Sequence, residues 1–292
     1  MLKIGMVGSE STHAQTFSGL ANFPSADGTD RFRARVTTIW GTDPVRTKQV
    51  ADEKKIPRIV EKPEDMMGSV DAVMVVPRSG GQHRRCAEPF LKAGVPVWVD
   101  KPFTCDYADA AALAAAAKAG GALLCGGSIC KFCCDAVMLQ QLFRQMRAAG
   151  QFRSAALNFS GDINCQYDGI YFYGSHAVEL LLFIFGGDIL SVKTDVQANS
   201  LVALAKYPDF TVTVNFANTP QSCCLLYAGT GIAVRPIDIT FAYEDALRAF
   251  VNMASGTRPP QDVKELLRSV RVLNALTESM KSGGSETPVK PV

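Results

Sequence analysis

Apolar residues follow two different rhythms along this chain. As far as about residue 125, short and nearly continuous apolar runs alternate with helical stretches; beyond it, apolar and polar residues alternate one by one. The first rhythm belongs to parallel strands buried on both faces and joined by crossover helices. It predicts strands at Leu2–Val7, Ala34–Trp40, Arg58–Val60, Asp71–Val76, Val95–Val99 and Ala122–Gly126. A helix opens near Ser11 or Thr12. Another runs toward Lys54, with Asp43 as its N-cap and Pro44 in the first helical position. A third, His83–Ala93, is capped by Gly94, and Pro89 inside it kinks it or lifts a hydrogen bond. An alanine-rich helix begins at Asp106 with Asp109 and stops at Gly120 and Gly121.

The second rhythm has period two, the mark of strands with one face buried. It predicts a largely antiparallel sheet from Phe152–Ser160, Leu190–Gln197, Ser200–Tyr207, Phe210–Ala217, Cys223–Thr230 and Ile232–Tyr243. One strongly apolar helix, Gly174–Phe185, interrupts these runs. Two helices close the chain, Glu244–Ala254 and Gln261–Lys281. The second carries Val263, Leu266, Leu267, Val270, Leu273 and Leu276 on one face. The last residues, rich in Gly, Ser and Pro, read as a frayed tail or a short final strand. No internal repeat is evident.

Composition narrows the class. The chain has 292 residues, 47% hydrophobic and 20% charged, enough for two domains with a sizeable core. A net charge of +2 gives no footprint for nucleic acid or an anionic membrane. No apolar run reaches the length of a membrane span, and Leu2–Val7 is too short for a signal peptide. Nine cysteines, an odd number, point to reduced thiols and a cytoplasmic setting. Cys130, Cys133 and Cys134 form a cluster, but with three histidines in the chain and no second Cys-x-x-Cys they read as structural thiols rather than a metal site.

Candidate chemistry lies at the carboxyl ends of the parallel strands, where helix N-termini direct their amides at ligands. After the first strand come Gly8, Ser9, Glu10, Ser11, Thr12 and His13. Only Gly8 survives of a G-x-G-x-x-G pattern. The hydroxyls and helix amides there are either an ordinary capped turn or a phosphate site, which Glu10 opposes unless it points away. The second strand ends at Gly41, where dinucleotide sites place an acid for the ribose; Thr42 and Asp43 follow, with Asp43 explained as a cap. Arg46 reads as a surface arginine, or as a contact for a 2′-phosphate. The fifth strand runs into Asp100, Lys101 and Pro102. A lysine held there can donate a proton to a substrate oxygen or anchor it, and Asp100 favours its charged form.

Taken in order, Asp71–Pro77, His83 and Leu91–Pro102 resemble the central signature of the glucose–fructose oxidoreductase, inositol dehydrogenase and MocA (Gfo/Idh/MocA) family. That family's motif is Glu-Lys-Pro, with an acid in the place of Asp100 and its catalytic lysine in the place of Lys101. Ser128–Phe132 is similar to the segment opening the family's second domain, with Lys131 in a basic position that faces substrate. Tyr173–His176 resembles its Gly-x-His motif, and Phe250, Gly256 and the last long helix fit its C-terminus. The resemblance implies an α/β protein: a Rossmann-type parallel sheet in residues 1–124 that binds NAD or NADP, and an α+β domain in 125–292 with a large, mostly antiparallel open sheet. It implies Gly8, Ser9, Ser11, Thr12, His13, Thr42, Asp43, Arg46, Pro77, His83, Asp100 and Lys101 as the cofactor side. Substrate, a sugar, cyclitol or related polyol, falls to Lys101, Lys131 and His176. Lys101 and His176 then share acid–base work while hydride passes between substrate and nicotinamide, with Tyr173 as a further proton donor. The resemblance also implies a homo-oligomer, dimer or tetramer, paired through the second sheet.

Three positions depart from the family pattern: the eroded glycine loop, Gly41 at the ribose acid, and Phe172 where an aspartate commonly precedes the histidine. They keep two alternatives open. One is a lyase or isomerase that uses a tightly held nicotinamide transiently. The other is a catalytically degenerate sugar-binding regulatory subunit.

Overall fold

A computed structural model describes residues 1–25 and 28–292. The chain divides into two compact units. One takes Met1–Gly127 and Tyr243–Leu266; the other takes Ser128–Ala242 and Leu267–Val292. The first unit therefore reclaims a late segment that an uninterrupted cut at 124/125 assigns elsewhere. The reason is aromatic packing. Phe250 meets Trp98 edge-on at 6.0 Å and Tyr243 meets Phe17 at 5.5 Å, while Glu244 pairs with Arg31 at 2.7 Å.

The first unit is a six-stranded sheet: β1 (Leu2–Val7), β2 (Ala34–Trp40), β3 (Arg58–Ile59), β4 (Ala72–Val75), β5 (Val97–Val99) and β6 (Leu124–Gly126), in the order β3-β2-β1-β4-β5-β6. All its pairings are parallel. The strand order turns back beside β1, and β1 and β4 are adjacent, so the switch point of the sheet lies at their carboxyl ends. The crossover helices are α1 (Thr12–Asn22), α2 (Pro44–Lys54), α3 (His83–Lys92) and α4 (Tyr107–Gly120). Their starts follow from capping: Ser11 accepts from the His13 amide, Asp43 from Val45 and Arg46, and Asp106 from Ala108. Pro89 lies within α3, which continues past it to Lys92. Strands β4, β5 and β6 are shorter than their apolar runs, because the run measures burial and the ladder measures pairing.

The second unit is a seven-stranded sheet: β7 (Phe152–Ser160), β8 (Ser191–Gln197), β9 (Ser200–Lys206), β10 (Thr211–Ala217), β11 (Cys223–Ala228), β12 (Gly231–Pro236) and β13 (Thr287–Pro288), ordered β12-β11-β7-β10-β9-β8-β13. Every pairing is antiparallel except β7 with β10. The tail thus ends as a strand on β8. Three features differ from expectation. Helix α5 (Cys134–Ala148) occupies a stretch given no helix; it buries Ala136, Leu139 and Phe143, and Phe143 joins Phe152, Phe185 and Phe210 within 5.7 Å. Helix α6 (Ile170–Phe185) begins at Ile170 rather than Gly174, after Asp168 and Gly169 turn the chain at φ values of 60° and 57°. Helix α7 (Ala242–Ala254) begins inside what period two read as strand, and α8 (Val263–Lys281) follows. No helix among the described residues is long and apolar enough to cross a membrane.

Candidate active site

The switch point of the first sheet is built around Gly8. Its φ of 106° suits glycine alone, and a Cβ there would lie 2.8 Å from the Pro77 nitrogen. Its amide donates to the Trp40 carbonyl at 2.8 Å, which seals β1 to β2 just ahead of the loop. Ser11 caps α1, Thr12 is exposed, and the helix N-terminus faces the end of its own strand as an anion site requires. Glu10 does not point away: its carboxylate accepts the Ser9 amide at 3.0 Å. A carboxylate thus already holds one loop N–H of the kind that phosphates use.

The missing ribose acid has a steric cause. Ser9 is fully buried and its hydroxyl bonds that of Thr47 on α2 at 2.8 Å. A Cβ at Gly41 would sit 1.9 Å from Ser9 Oγ and 2.6 Å from Thr47 Oγ1, so glycine is required. Thr42 and Asp43 are exposed beyond it, and Asp43 is spent on capping α2. Arg46 bonds Gln49 at 2.8 Å. Gly8, the α1 N-terminus and the β1–β4 switch point suit a dinucleotide's pyrophosphate, so the residues present fit such a cofactor.

The end of β5 carries the charged cluster. Asp100 is buried to 1% exposure and Lys101 to 4%, and the Lys101–Pro102 peptide is cis. His13 Nδ1 meets Asp100 Oδ2 at 2.6 Å, whereas Asp100 Oδ1 has no hydrogen-bond partner. Burial pushes the Asp100 carboxyl up, but His13, then Lys101 and His83, hold it below the usual carboxylate value. His83 is fully buried, with Nε2 on the Pro77 carbonyl at 2.8 Å and Nδ1 on that of Phe103 at 3.1 Å. Both ring nitrogens face acceptors, so the imidazole braces the segments either side of Lys101 rather than reaching a ligand.

In the second unit, α6 presents His176 and Glu179 one turn apart. His176 stacks on Phe159 with ring centres 5.8 Å apart, and Ser128 Oγ lies 2.7 Å from its Nδ1. That hydroxyl also accepts the Cys130 amide at 3.1 Å, so Nδ1 is engaged by Ser128. Lys131 is paired with Glu179 at 2.7 Å, and the other carboxylate oxygen accepts the Ser128 amide at 2.8 Å. Lys131 is therefore part of a balanced ion pair rather than a lone cation. Tyr173 is half-buried against Gly161, where a Cβ would approach it to 2.6 Å, and Phe172 lies among Tyr167 and Tyr173. The Tyr171 hydroxyl accepts from Asn274 at 2.8 Å.

Two residues of this cluster escaped the sequence reading. Ser128 had its signal in the motif it opens. Glu179 had a stronger one, a single charge in an otherwise apolar helix, which needs a buried partner. Cys130 and Cys133 are buried and Cys134 exposed, and no group of three or more metal-binding side chains gathers among the described residues.

Residues 2–127 match the model of the GFO_IDH_MocA oxidoreductase family, NAD-binding Rossmann fold. No curated protein matches the chain. Among solved structures, similar ones include scyllo-inositol dehydrogenase from Lactobacillus casei with bound NAD(H) and scyllo-inositol, at a TM-score of 0.83 and 16% identity over 99% of both chains. Myo-inositol 2-dehydrogenase from Lactobacillus plantarum gives 0.82 and 14%, again over 99% of both. GenD2 from gentamicin A biosynthesis, in complex with NAD, gives 0.83 and 17% over 99% of this chain and 96% of its own. At such identities the likeness establishes the fold.

Proposed function

We propose, from the match of residues 2–127 to the GFO_IDH_MocA oxidoreductase family model, that the chain oxidises a hydroxyl of a sugar, cyclitol or related polyol with NAD or NADP. The observation that carries the reading is Lys101, a buried lysine at the carboxyl end of β5 with the buried Asp100 beside it; its neutral amine is the form that accepts a proton. Bound nicotinamide supplies the hydride acceptor. Lys101 takes the hydroxyl proton in the oxidising direction and returns it in reduction. Asp100 stabilises the protonated amine, and the brace of His83 between Pro77 and Phe103 holds the segment that carries it. His176, engaged by Ser128 at Nδ1, exchanges protons at Nε2. The Lys131–Glu179 pair accepts and donates hydrogen bonds to substrate hydroxyls, and Tyr173 is a further donor.

Titrating the protein with NAD(H) and NADP(H) while following Trp40 and Trp98 fluorescence tests the cofactor. Assaying polyols and aldoses by nicotinamide absorbance tests the reaction. Lys101→Ala and His176→Asn should each cost a hundredfold or more in kcat/KM, on the order of a lost general acid–base group, with cofactor affinity kept. No quenching by any of the four nucleotides refutes the reading. That result would favour a sugar-binding regulatory subunit, to which the Glu10 carboxylate on the phosphate-loop amide lends support.

We also propose that the outer face of the second sheet pairs two copies. Register aligns Val234, Leu225, Ala156, Thr213 and Leu204 across five strands, and Val234 and Leu204 are 63% and 41% exposed. Such a row is apolar enough to be covered. Leu204→Glu should lower the sedimenting mass; a monomeric parent refutes the pairing.

A further inference from the structure

We propose that His13 is a positioning residue for Lys101, acting through the carboxylate of Asp100. The proposal rests on Lys101 as the acid–base group. Counting from Gly8, His13 falls where a dinucleotide fingerprint has its third glycine, a place kept small for close packing of helix on strand. Here the position carries an imidazole that crosses from the first turn of α1 to the end of β5, joining residues 87 apart in sequence. The ring is 7% exposed and is held edge-on by Tyr243 at 4.9 Å and Phe17 at 6.2 Å. Its Nδ1 makes the hydrogen bond given to the fully buried Asp100, whose second oxygen has none.

The charged and titratable groups facing this carboxylate are His13 from α1, Lys101 beside it and His83 from α3, with Tyr243 of α7 against the His13 ring. His83 is tied by both nitrogens to backbone carbonyls. Of these three side chains only Lys101 has a flexible stem. With the imidazole in place, Asp100 is anchored on His13 and shares only part of its charge with Lys101. Without it, the desolvated carboxylate turns to the ammonium and holds it protonated to higher pH.

The test is the titration of the Lys101 Nζ resonance, assigned by its disappearance in Lys101→Arg, in the parent, His13→Ala and His13→Asn. An asparagine amide replaces the Nδ1–H donor without a titrating ring. The expected result is an upward move in His13→Ala that leaves roughly tenfold less neutral amine at a given pH, with His13→Asn restoring the parent curve. The alkaline limb of the kcat/KM profile should follow the same order. An unchanged or lowered titration in His13→Ala, or an equal move in both variants, overturns the proposal. The titration needs no turnover, so the two readings fail separately. A Lys101 shift without polyol oxidation sinks the function and leaves the His13 link, whereas oxidation without the shift does the reverse.

Discussion

Restoring the acid that dinucleotide domains carry at the end of the second strand should damage this protein. In Gly41→Asp the new Cβ would come 1.9 Å from Ser9 Oγ and 2.6 Å from Thr47 Oγ1, and both hydroxyls belong to a buried pair 2.8 Å apart. Neither can yield easily: Ser9 is fully enclosed, and Thr47 Oγ1 also donates to the Asp43 carbonyl. Overpacking of this kind costs about 1–3 kcal/mol. Breaking the Ser9–Thr47 bond adds about 1 kcal/mol, more if a hydroxyl is left buried alone. The total of about 2–4 kcal/mol corresponds to a fall of roughly 4–16 °C in Tm for a domain of this size. Thermal unfolding by circular dichroism and NAD(H) binding by tryptophan quenching are the assays. Ser9→Gly removes the colliding hydroxyl, so the double variant Ser9→Gly/Gly41→Asp should recover most of the lost stability and bind NAD(H) better than Gly41→Asp. A Gly41→Asp protein as stable as its parent, or one that Ser9→Gly does not rescue, refutes the argument that Ser9 dictates the glycine.

Glu10→Gln removes a negative charge that bonds the Ser9 amide at 3.0 Å. A phosphate about 4 Å from that carboxylate would be repelled by about 1 kcal/mol in a solvated loop, so NAD(H) should bind roughly fivefold tighter by fluorescence titration, and weaker binding would contradict the placement. Glu179→Gln leaves the Lys131 ammonium buried without its counter-charge and should cost about 3–5 kcal/mol in chemical denaturation, the usual penalty for opening a buried pair from one side; its side chains are only 9% and 4% exposed. Asp100, held below the usual carboxylate value in the folded state, stabilises the fold above its unfolded pKa. That contribution is lost as pH falls through the folded value, so Asp100→Asn should flatten the acid limb of a stability–pH curve. Burial pushes the Cys224 thiol up to about 12, so native-state alkylation followed by peptide mapping should mark exposed Cys134 and spare Cys224 until the protein unfolds.

The sequence by itself determined the two rhythms, and with them a parallel and a largely antiparallel sheet, because period and run length are properties of neighbouring residues; the parallel β7–β10 pairing was decided by the fold. Leu2–Val7, Ala34–Trp40 and Phe152–Ser160 stand where their patterns placed them. Caps at Ser11, Asp43 and Asp106 were legible for the same reason: each is satisfied within three residues. The apolar spacing of Ala136, Leu139 and Phe143 also suits a helix, which is α5. The start of α6 was obscured by an aromatic run, Ile170–Tyr173, that suits a strand equally well. Only the tertiary structure decided what the candidate side chains touch. His13 meets Asp100, Ser9 fills the space before Gly41, Lys131 is neutralised by Glu179, and His83 is a brace. It also decided that Tyr243–Leu266 returns to the first unit. Hydrogen bonds and steric exclusion act over a few ångströms of space, and the residues they join here lie up to 87 positions apart along the chain, beyond the reach of any local pattern.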